Sequence, residues 1–317
     1  MNGYIRPRLE GFVATAKAPE RLARTEISVV MVVYRTGEAL FESLRRVLDE
    51  PLVDEFVLID NCSNSAEEAA LDAATRDPRV ILRRGHGNIG FARGANMGAA
   101  LAHGRVLVFL NPDAFLQPGC VEALRDALTG QGSPCVVGAR VMNPNGTEQR
   151  GGRRGEITPV TALLSLTRLS RRMRAFQGFE VHHESDTVPG GPEPVPTISG
   201  ACFAMTRRDF ADMGGFDEAY FLHVEDVDLC WRVRQSGGTV MFDPLAEVVH
   251  LGSTSHKAPV VVEFWKGMGL ARYFRKRADN PRRKLLALAI APLIVIVSVA
   301  RPIVRGHAFR RRTPPKR

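Results

Sequence analysis

The sequence has no Cys-x-x-Cys pair, and its five cysteines, Cys62, Cys120, Cys135, Cys202 and Cys230, are odd in number and widely scattered. That pattern excludes a disulfide framework and a zinc clip, and a reducing cytoplasm is the expected compartment. Met1 to Glu26 holds no apolar run behind its basic residues, so no secretory signal is expected. Internal repeats are missing, as are low-complexity stretches apart from a basic tail. No clean apolar stretch reaches the about 20 residues of a confident membrane span. The longest, Leu285 to Val299, contains Pro292, and Arg301 and Pro302 stand against its extension.

What is present suits one large α/β core with appendages: 317 residues, 44% hydrophobic and 24% charged. The net charge of +9 is concentrated after Arg272. There Arg282, Arg283 and Lys284 precede the apolar run, and Arg305, Arg310, Arg311 and Arg312 follow it. A basic apolar tail points to an anionic inner-leaflet surface and away from nucleic acid, with a helix resting on the leaflet favoured over one that spans it. A docking helix or a homodimer element is the competing use of the same segment.

Ile27 to Tyr34 is a continuous β-branched run, followed by Gly37 and an apolar pattern at Leu40, Phe41, Leu44, Val47 and Leu48. It reads as buried strand, turn and helix. The unit recurs at Phe56 to Ile59 with Glu67 to Thr75, then at Val80 to Leu82 with a helix from Phe91 to His103, and Val106 to Leu110 follows. Solid apolar strands alternating with helices predict a mainly parallel sheet covered on both faces, with ligands at the carboxyl ends of its strands. Further on, a helix-like stretch is expected around Leu163 to Phe176, a strand at Thr197 to Met205 and a helix at Glu225 to Gln235.

Gly85-His86-Gly87-Asn88-Ile89-Gly90 matches the G-x-G-x-x-G pattern between a strand and a helix. A nicotinamide or flavin site, a simple tight turn and a different nucleotide contact all fit it. The third is favoured, because the loop falls on the third strand unit and no lone ribose-binding acid follows. Every strand instead ends in small polar groups: Tyr34-Arg35-Thr36, Asp60-Asn61-Cys62-Ser63, Asn88, and Asn111-Pro112-Asp113. Asp60 suits a ribose or base donor, while Asn88 and Asn96 suit hydroxyls. Asp113 suits a divalent cation bridging diphosphate oxygens, since Mg2+ and Mn2+ prefer hard oxygen ligands. The plain account of Asp113 is a turn acid after Pro112.

Glu225-Asp226-Val227-Asp228 opens a helix, where acids complement the dipole and Asp228 pairs with Arg232 at i,i+4. The glycines and aromatics of Gly214 to His223 before it make a catalytic carboxylate the stronger reading. His250, at the end of an apolar segment, is either structural or a metal ligand.

Taken in order, Val30-Met31-Val32-Val33-Tyr34, Asp60-Asn61, Asn88-Ile89-Gly90-Phe91-Ala92, Leu110-Asn111-Pro112-Asp113, Gly214-Gly215-Phe216-Asp217-Glu218, Glu225-Asp226-Val227-Asp228-Leu229 and His250 resemble the family 2 glycosyltransferases, particularly the bacterial rhamnosyltransferase-like branch. The resemblance implies a GT-A fold, a UDP- or dTDP-linked sugar donor and inversion at the anomeric carbon. It implies nucleotide-sugar contacts at Val33, Tyr34, Arg35, Asp60, Asn88, Gly90, Phe91, Asn96, Asn111 and Asp113. Asn111 and Asp113 take the place of the family's metal-binding Asp-x-Asp, and His250 that of a metal-contacting histidine. Asp226 matches the catalytic base, with Glu225 beside it to position the acceptor or Asp226. Arg93 and Gly94 stand where the family usually has small residues or Asn.

The expected organisation is an extension at 1–26, a catalytic domain at 27–258 divided at 113 into nucleotide and acceptor halves, and a membrane-associating helical tail at 259–317. The expected activity is transfer of a sugar, rhamnose being one candidate, to a glycan or lipid-linked acceptor in cell-surface polysaccharide synthesis. It would run at the cytoplasmic face of the membrane with Mg2+ or Mn2+. A non-catalytic nucleotide-sugar-binding protein and a nicotinamide-dependent oxidoreductase are the rival readings.

Overall fold

The β-branched run at the start becomes the centre of the sheet. In the computed structural model β1 (Ile27–Val33) is buried along its whole length. The structure describes residues 25–310 except 168–172, 174, 176, 177, 179, 185, 253 and 255–257, with side chains described to residue 302. The extension at 1–24, the second half of the stretch expected to Phe176, and Arg311 and Arg312 lie mostly or wholly outside those residues.

After β1 come α1 (Ala39–Leu48), β2 (Glu55–Asp60), α2 (Ser65–Ala74), β3 (Val80–Arg83), α3 (Phe91–Leu101) and β4 (Val106–Leu110). These four strands pair in parallel in the order β3-β2-β1-β4. Side chains alternate across β1, so Val29, Met31 and Val33 enter one core while Val30 and Val32 enter the other. Each such burial is worth roughly 1.5–3 kcal/mol, which is why the run is apolar on both faces. Gly94 and Gly98 let α3 lie close on the sheet: a Cβ at either would come within 2.9 Å of Val32 or 2.4 Å of Val30. The unusual Gly94 is thus a packing residue.

The second half contributes β5 (Ala114–Leu116), α4 (Cys120–Leu128), β6 (Cys135–Met142), β7 (Arg153–Arg154), α5 (Pro159–Thr167), β8 (Glu193–Pro194), β9 (Thr197–Ile198), β10 (Cys202–Thr206), α6 (Arg207–Asp212), α7 (Glu225–Gln235) and β11 (Thr239–His250). The central sheet continues β4-β10-β6-β11-β5. Here it turns mixed, because β10 runs antiparallel to both β4 and β6. The strand expected over Thr197 to Met205 is two, β9 pairing with β7 and β10 entering the sheet. The break at Ser199–Ala201 frees the Gly200 N–H to bond Asp226.

The chain ends in a hairpin of α8 (Pro259–Arg277) and α9 (Pro281–Arg310). Gly267 lies against Val295 and Ser298, and Glu263 reaches Arg301, so the helices run antiparallel. Leu270, Tyr273 and Phe274 of α8 pack with Tyr220, Val224 and Val227 in a third apolar cluster. Pro302 stands where the apolar segment ends, as the sequence suggests, but it does not end the helix. The helix runs through Pro292 and Pro302, each of which removes its N–H from the ladder and crowds the carbonyl four residues before it. The apolar helix Pro281–Pro302 has 22 residues and a mean hydropathy of 2.2, with 17% of its window buried.

Candidate active site

At the carboxyl ends of β1, β2 and β4 lies a cavity of about 590 Å³. Tyr34 follows β1, Asn61 follows β2, and Asn111 and Asp113 follow β4, and all four line it. Asn88, Gly90 and Phe91 add the wall before α3. Asn61 organises that wall, donating to the Asn88 side chain (3.2 Å) and the Gly90 carbonyl (3.1 Å) while accepting from the Ile89 N–H. Gly90, at φ 86°, has no room for a side chain, because a Cβ would lie 2.7 Å from the Phe221 carbonyl. That carbonyl accepts the Phe91 N–H at 2.9 Å. The last glycine of the G-x-G-x-x-G loop therefore stitches two loops together at the cavity edge.

Four of the expected nucleotide-sugar contacts are not among the cavity's lining residues. Val33 is buried, its carbonyl accepting from Asn61 N–H. Arg35, at φ 46°, is exposed with its guanidinium 5.7 Å over the Tyr34 ring. Asp60 is buried, bonded by the Ser63 N–H at 2.8 Å and 3.8 Å from Arg84. Asn96 clamps the turn at Phe216, donating to its carbonyl and accepting from its N–H.

Asp113 and His250 meet where β4 and β11 end. His250 Nδ1 is 2.7 Å from Gln149 Oε1, an acceptor, so Nδ1 carries a proton, and Nε2 stands 3.2 Å from Asp113 Oδ1. Two acceptors opposed in this way call for a cation or a further proton between them. Asn111 Nδ2 stands 3.4 Å from the same Nε2, and the Thr254 hydroxyl donates to Asp113 Oδ2 at 2.9 Å. Burial alone would raise the Asp113 carboxyl, but with a proton between the pair, hydrogen bonding and charge from His250, aided by Thr254, leave it below its ordinary range. One carboxylate and one imidazole fit Mn2+ or Mg2+ as a partial ligand set, to be completed by phosphate oxygens and water. No third His, Cys, Asp or Glu joins them among the described residues.

The second carboxylate centre lies at the start of α7. Val224 precedes it at φ 76°, a strained conformation for a β-branched residue, and α8 packs against it at Gly269, where a Cβ would lie 2.9 Å from Val224 Cγ2. Asp226 Oδ2 receives Arg154 Nη2 at 2.6 Å and the Gly200 N–H at 3.0 Å, and Oδ1 receives the Val227 N–H at 2.8 Å. Burial opposes its charge, but Arg154 and the two amides prevail and hold Asp226 below the usual carboxylate range. Glu225 goes the other way, pushed up to about 8 by burial and then by the charge of Asp226. At neutral pH one acid of the pair is ionised and the other protonated, a division suited to different roles.

Asp226 does not line the cavity. It is tied to the cavity through the chain, since Gly200 bonds Asp226 while the next carbonyl, Ala201, accepts the Asn111 N–H at 2.8 Å. Asp228 is structural: it takes Arg232 at 2.7 Å, Tyr220 at 3.2 Å and Lys276 at 2.9 Å. Sequence reasoning missed Arg154, Gln149 and the Thr254 hydroxyl on Asp113. The loop around Arg150 shows in sequence as Gly- and Arg-rich, but nothing in it says which arginine reaches Asp226.

The sequence profile of glycosyl transferase family 2 matches residues 28–213. The N-acetylglucosaminyl-diphospho-decaprenol L-rhamnosyltransferase of Mycobacterium tuberculosis is 28% identical over 253 residues, covering 73% of this chain and 76% of that one. Polypeptide N-acetylgalactosaminyltransferase 11 of Xenopus tropicalis is 27% identical over 247 residues, 71% of this chain and 38% of that one. Among solved structures, GalNAc-T7 with UDP, GalNAc and Mn2+ superposes with a TM-score of 0.58 at 18% identity, over 79% of this chain and about half (48%) of that one. The mannosyltransferase PcManGT from Pyrobaculum calidifontis, in complex with GDP-Man and Mn2+, gives 0.55 at 15% identity, over 92% and 78% of the two chains. These likenesses show the GT-A fold.

Proposed function

The chain belongs to glycosyl transferase family 2 and is a glycosyltransferase, and on that premise we propose that it transfers a hexose, rhamnose being the leading candidate, with inversion from a UDP- or dTDP-sugar to a lipid-linked glycan acceptor. The observation that carries the reading is the opposed pair Asp113 Oδ1 and His250 Nε2, 3.2 Å apart in the wall of a cavity lined by Tyr34, Asn88 and Asn111. Neighbours of the same fold hold a nucleotide or nucleotide-sugar with Mn2+, and a relative acts on a diphospho-decaprenol sugar. Bound at this pair, a divalent cation would neutralise charge on the departing diphosphate.

The chain's own groups do the rest. Gln149 keeps His250 Nε2 directed at Asp113. Asn111 and Thr254 fix the orientation of that pair. Asp226, ionised by its three donors, accepts the proton of the acceptor hydroxyl as that oxygen attacks the anomeric carbon. Glu225, protonated at neutral pH, adds no second negative charge beside the base and positions it.

Residues 27–258 form the catalytic unit in this reading, with the hairpin from 259 both docked on it and resting on the cytoplasmic leaflet. Leu285, Leu286, Leu288, Leu293 and Ile296 are exposed on α9, and Arg282, Arg283 and Lys284 stand at its start. A thermal-shift comparison of UDP-, dTDP- and GDP-sugars with and without Mn2+ tests the function. Stabilisation by one nucleotide class, dependent on the cation, is expected. Absence of any shift contradicts the reading.

A further inference from the structure

The chain reaches Asp226 through a strained turn. His223 and Val224 stand at φ 67° and 76°, both in the left-handed region, and neither is a glycine. Arg35 and Cys62, the other non-glycine residues with positive φ among those described, occur singly, after β1 and β2. Side chains in that region are costly, and two in succession require the surroundings to hold them. Helix α8 does so. It passes so close at Gly269 that a Cβ there would lie 2.9 Å from Val224 Cγ2 and 3.1 Å from the His223 carbonyl.

The turn sorts the two residues. Val224 is buried with Tyr220, Leu270 and Tyr273 in the third apolar cluster, whereas His223 is exposed and lines the cavity of Asp113 and His250. A glycine at 223 would make the same turn without steric cost, so the turn itself does not call for an imidazole. Neither ring nitrogen of His223 has a hydrogen-bond partner among the described residues. Although the residue is reachable from the cavity, burial among protein atoms pushes its imidazole down to about 4. It is therefore neutral at pH 7 and offers one donor and one acceptor.

Asp113 and His250 lie in the cavity wall and Asp226 stands outside it, so the anomeric carbon has its place between the diphosphate and the base. Of the lining residues, Phe221, Leu222 and His223 lead into α7, and His223 is the last of them before Glu225 and Asp226. We infer that His223 is a specificity residue for the donor: its imidazole hydrogen-bonds a hydroxyl of the hexose being transferred, presented there by the left-handed turn that α8 locks. This rests on the glycosyltransferase reading and adds a sugar contact to the same site. A neutral ring suits it, since a sugar hydroxyl both donates and accepts and carries no charge to be answered. The cost of the turn is met by the packing of Val224 on α8, and the cavity gains a polar group fixed on the backbone that leads to the base.

The test is calorimetry on the full chain with Mn2+, comparing UDP and dTDP with UDP-glucose, UDP-N-acetylglucosamine and dTDP-rhamnose, for wild type, His223→Gly and His223→Ala. For the nucleotide-sugar that wild type binds, both variants should lose about fivefold or more in affinity, while the matching nucleoside diphosphate changes by less than about twofold. His223→Gly should melt above His223→Ala, because only glycine takes this φ without strain. A loss of donor affinity common to both then belongs to the imidazole and not to the turn. Of the monodeoxy forms of that donor, the one lacking the contacted hydroxyl should bind wild type and His223→Gly alike. Should His223→Gly not fold, His223→Ala carries the same comparison of donor with nucleotide. Donor affinity kept in the variants, a loss shared equally by the nucleoside diphosphate, or a deficit that every monodeoxy donor retains would overturn the inference. Failure of the wild type to bind any nucleoside diphosphate with Mn2+ would instead strike the functional reading beneath it.

Discussion

Asp113 and Asp226 are both held ionised in surroundings that burial makes unfavourable to charge, but by different means. Asp113 is held by a proton between it and His250 Nε2 and by a neutral hydroxyl, so a cation can take that proton's place. Asp226 is held by the fixed charge of Arg154 and by two amides, so its environment already contains its cation. The first arrangement suits a leaving group that brings phosphate and metal. The second suits a proton acceptor whose charge must be settled before the acceptor arrives. The protonated Glu225 beside it has no counterpart at Asp113.

The largest effect should come from breaking the acceptor side alone. Asp226→Asn keeps the size of the side chain but removes the base and turns an amide NH2 toward one of its donors, and transfer measured with radiolabelled donor should fall about 10²–10⁴-fold with nucleotide binding retained. On the donor side, Gln149→Leu leaves the His250 tautomer unfixed. Mn2+ affinity, read by titration in the presence of nucleotide, should weaken about 10–100-fold although Gln149 touches no proposed ligand oxygen.

How much of this was legible in the sequence follows the same division. On the donor side each strand ends in its polar residue, so Tyr34, Asn88, Asn111 and Asp113 are found by reading strand ends in order. Asn96 and Asp60 show the limit of that reading, since their partners are the Phe216 backbone and the Ser63 amide. The rest is assembled from distant pieces: on the acceptor side Arg154 lies 72 residues from Asp226, and on the donor side Gln149 lies 101 residues from the His250 it orients. Local periodicity cannot reach across such distances. The antiparallel entry of β10 that brings Gly200 to Asp226 is a tertiary choice that the apolar pattern of Thr197 to Met205 does not encode.

A smaller effect tests whether α8 props the strained turn before Asp226. In Gly269→Ala the added methyl meets Val224 Cγ2 at 2.9 Å and the His223 carbonyl at 3.1 Å. A loss of about 1–3 kcal/mol in denaturant unfolding is expected, with transfer reduced more than nucleotide affinity. The smallest effect concerns Glu225. Its folded pKa, about 8, exceeds the ordinary 4.5, so the folded state holds its proton more tightly and stability falls as pH rises from about 4.5 to about 8. Glu225→Gln removes that dependence. Its melting temperature should therefore gain on wild type as pH rises from about 4.5 to about 8, read by thermal unfolding across that range.

The division of labour between the two aspartates is tested most directly by one paired measurement: Mn2+-dependent binding of the cognate nucleotide to Asp113→Asn and Asp226→Asn, by calorimetry. Asp113→Asn should lose the Mn2+-dependent part of the affinity, and Asp226→Asn should bind as wild type does while failing to transfer. Wild-type Mn2+ dependence in Asp113→Asn, or its loss in Asp226→Asn, would contradict the assignment of leaving group to one aspartate and nucleophile to the other.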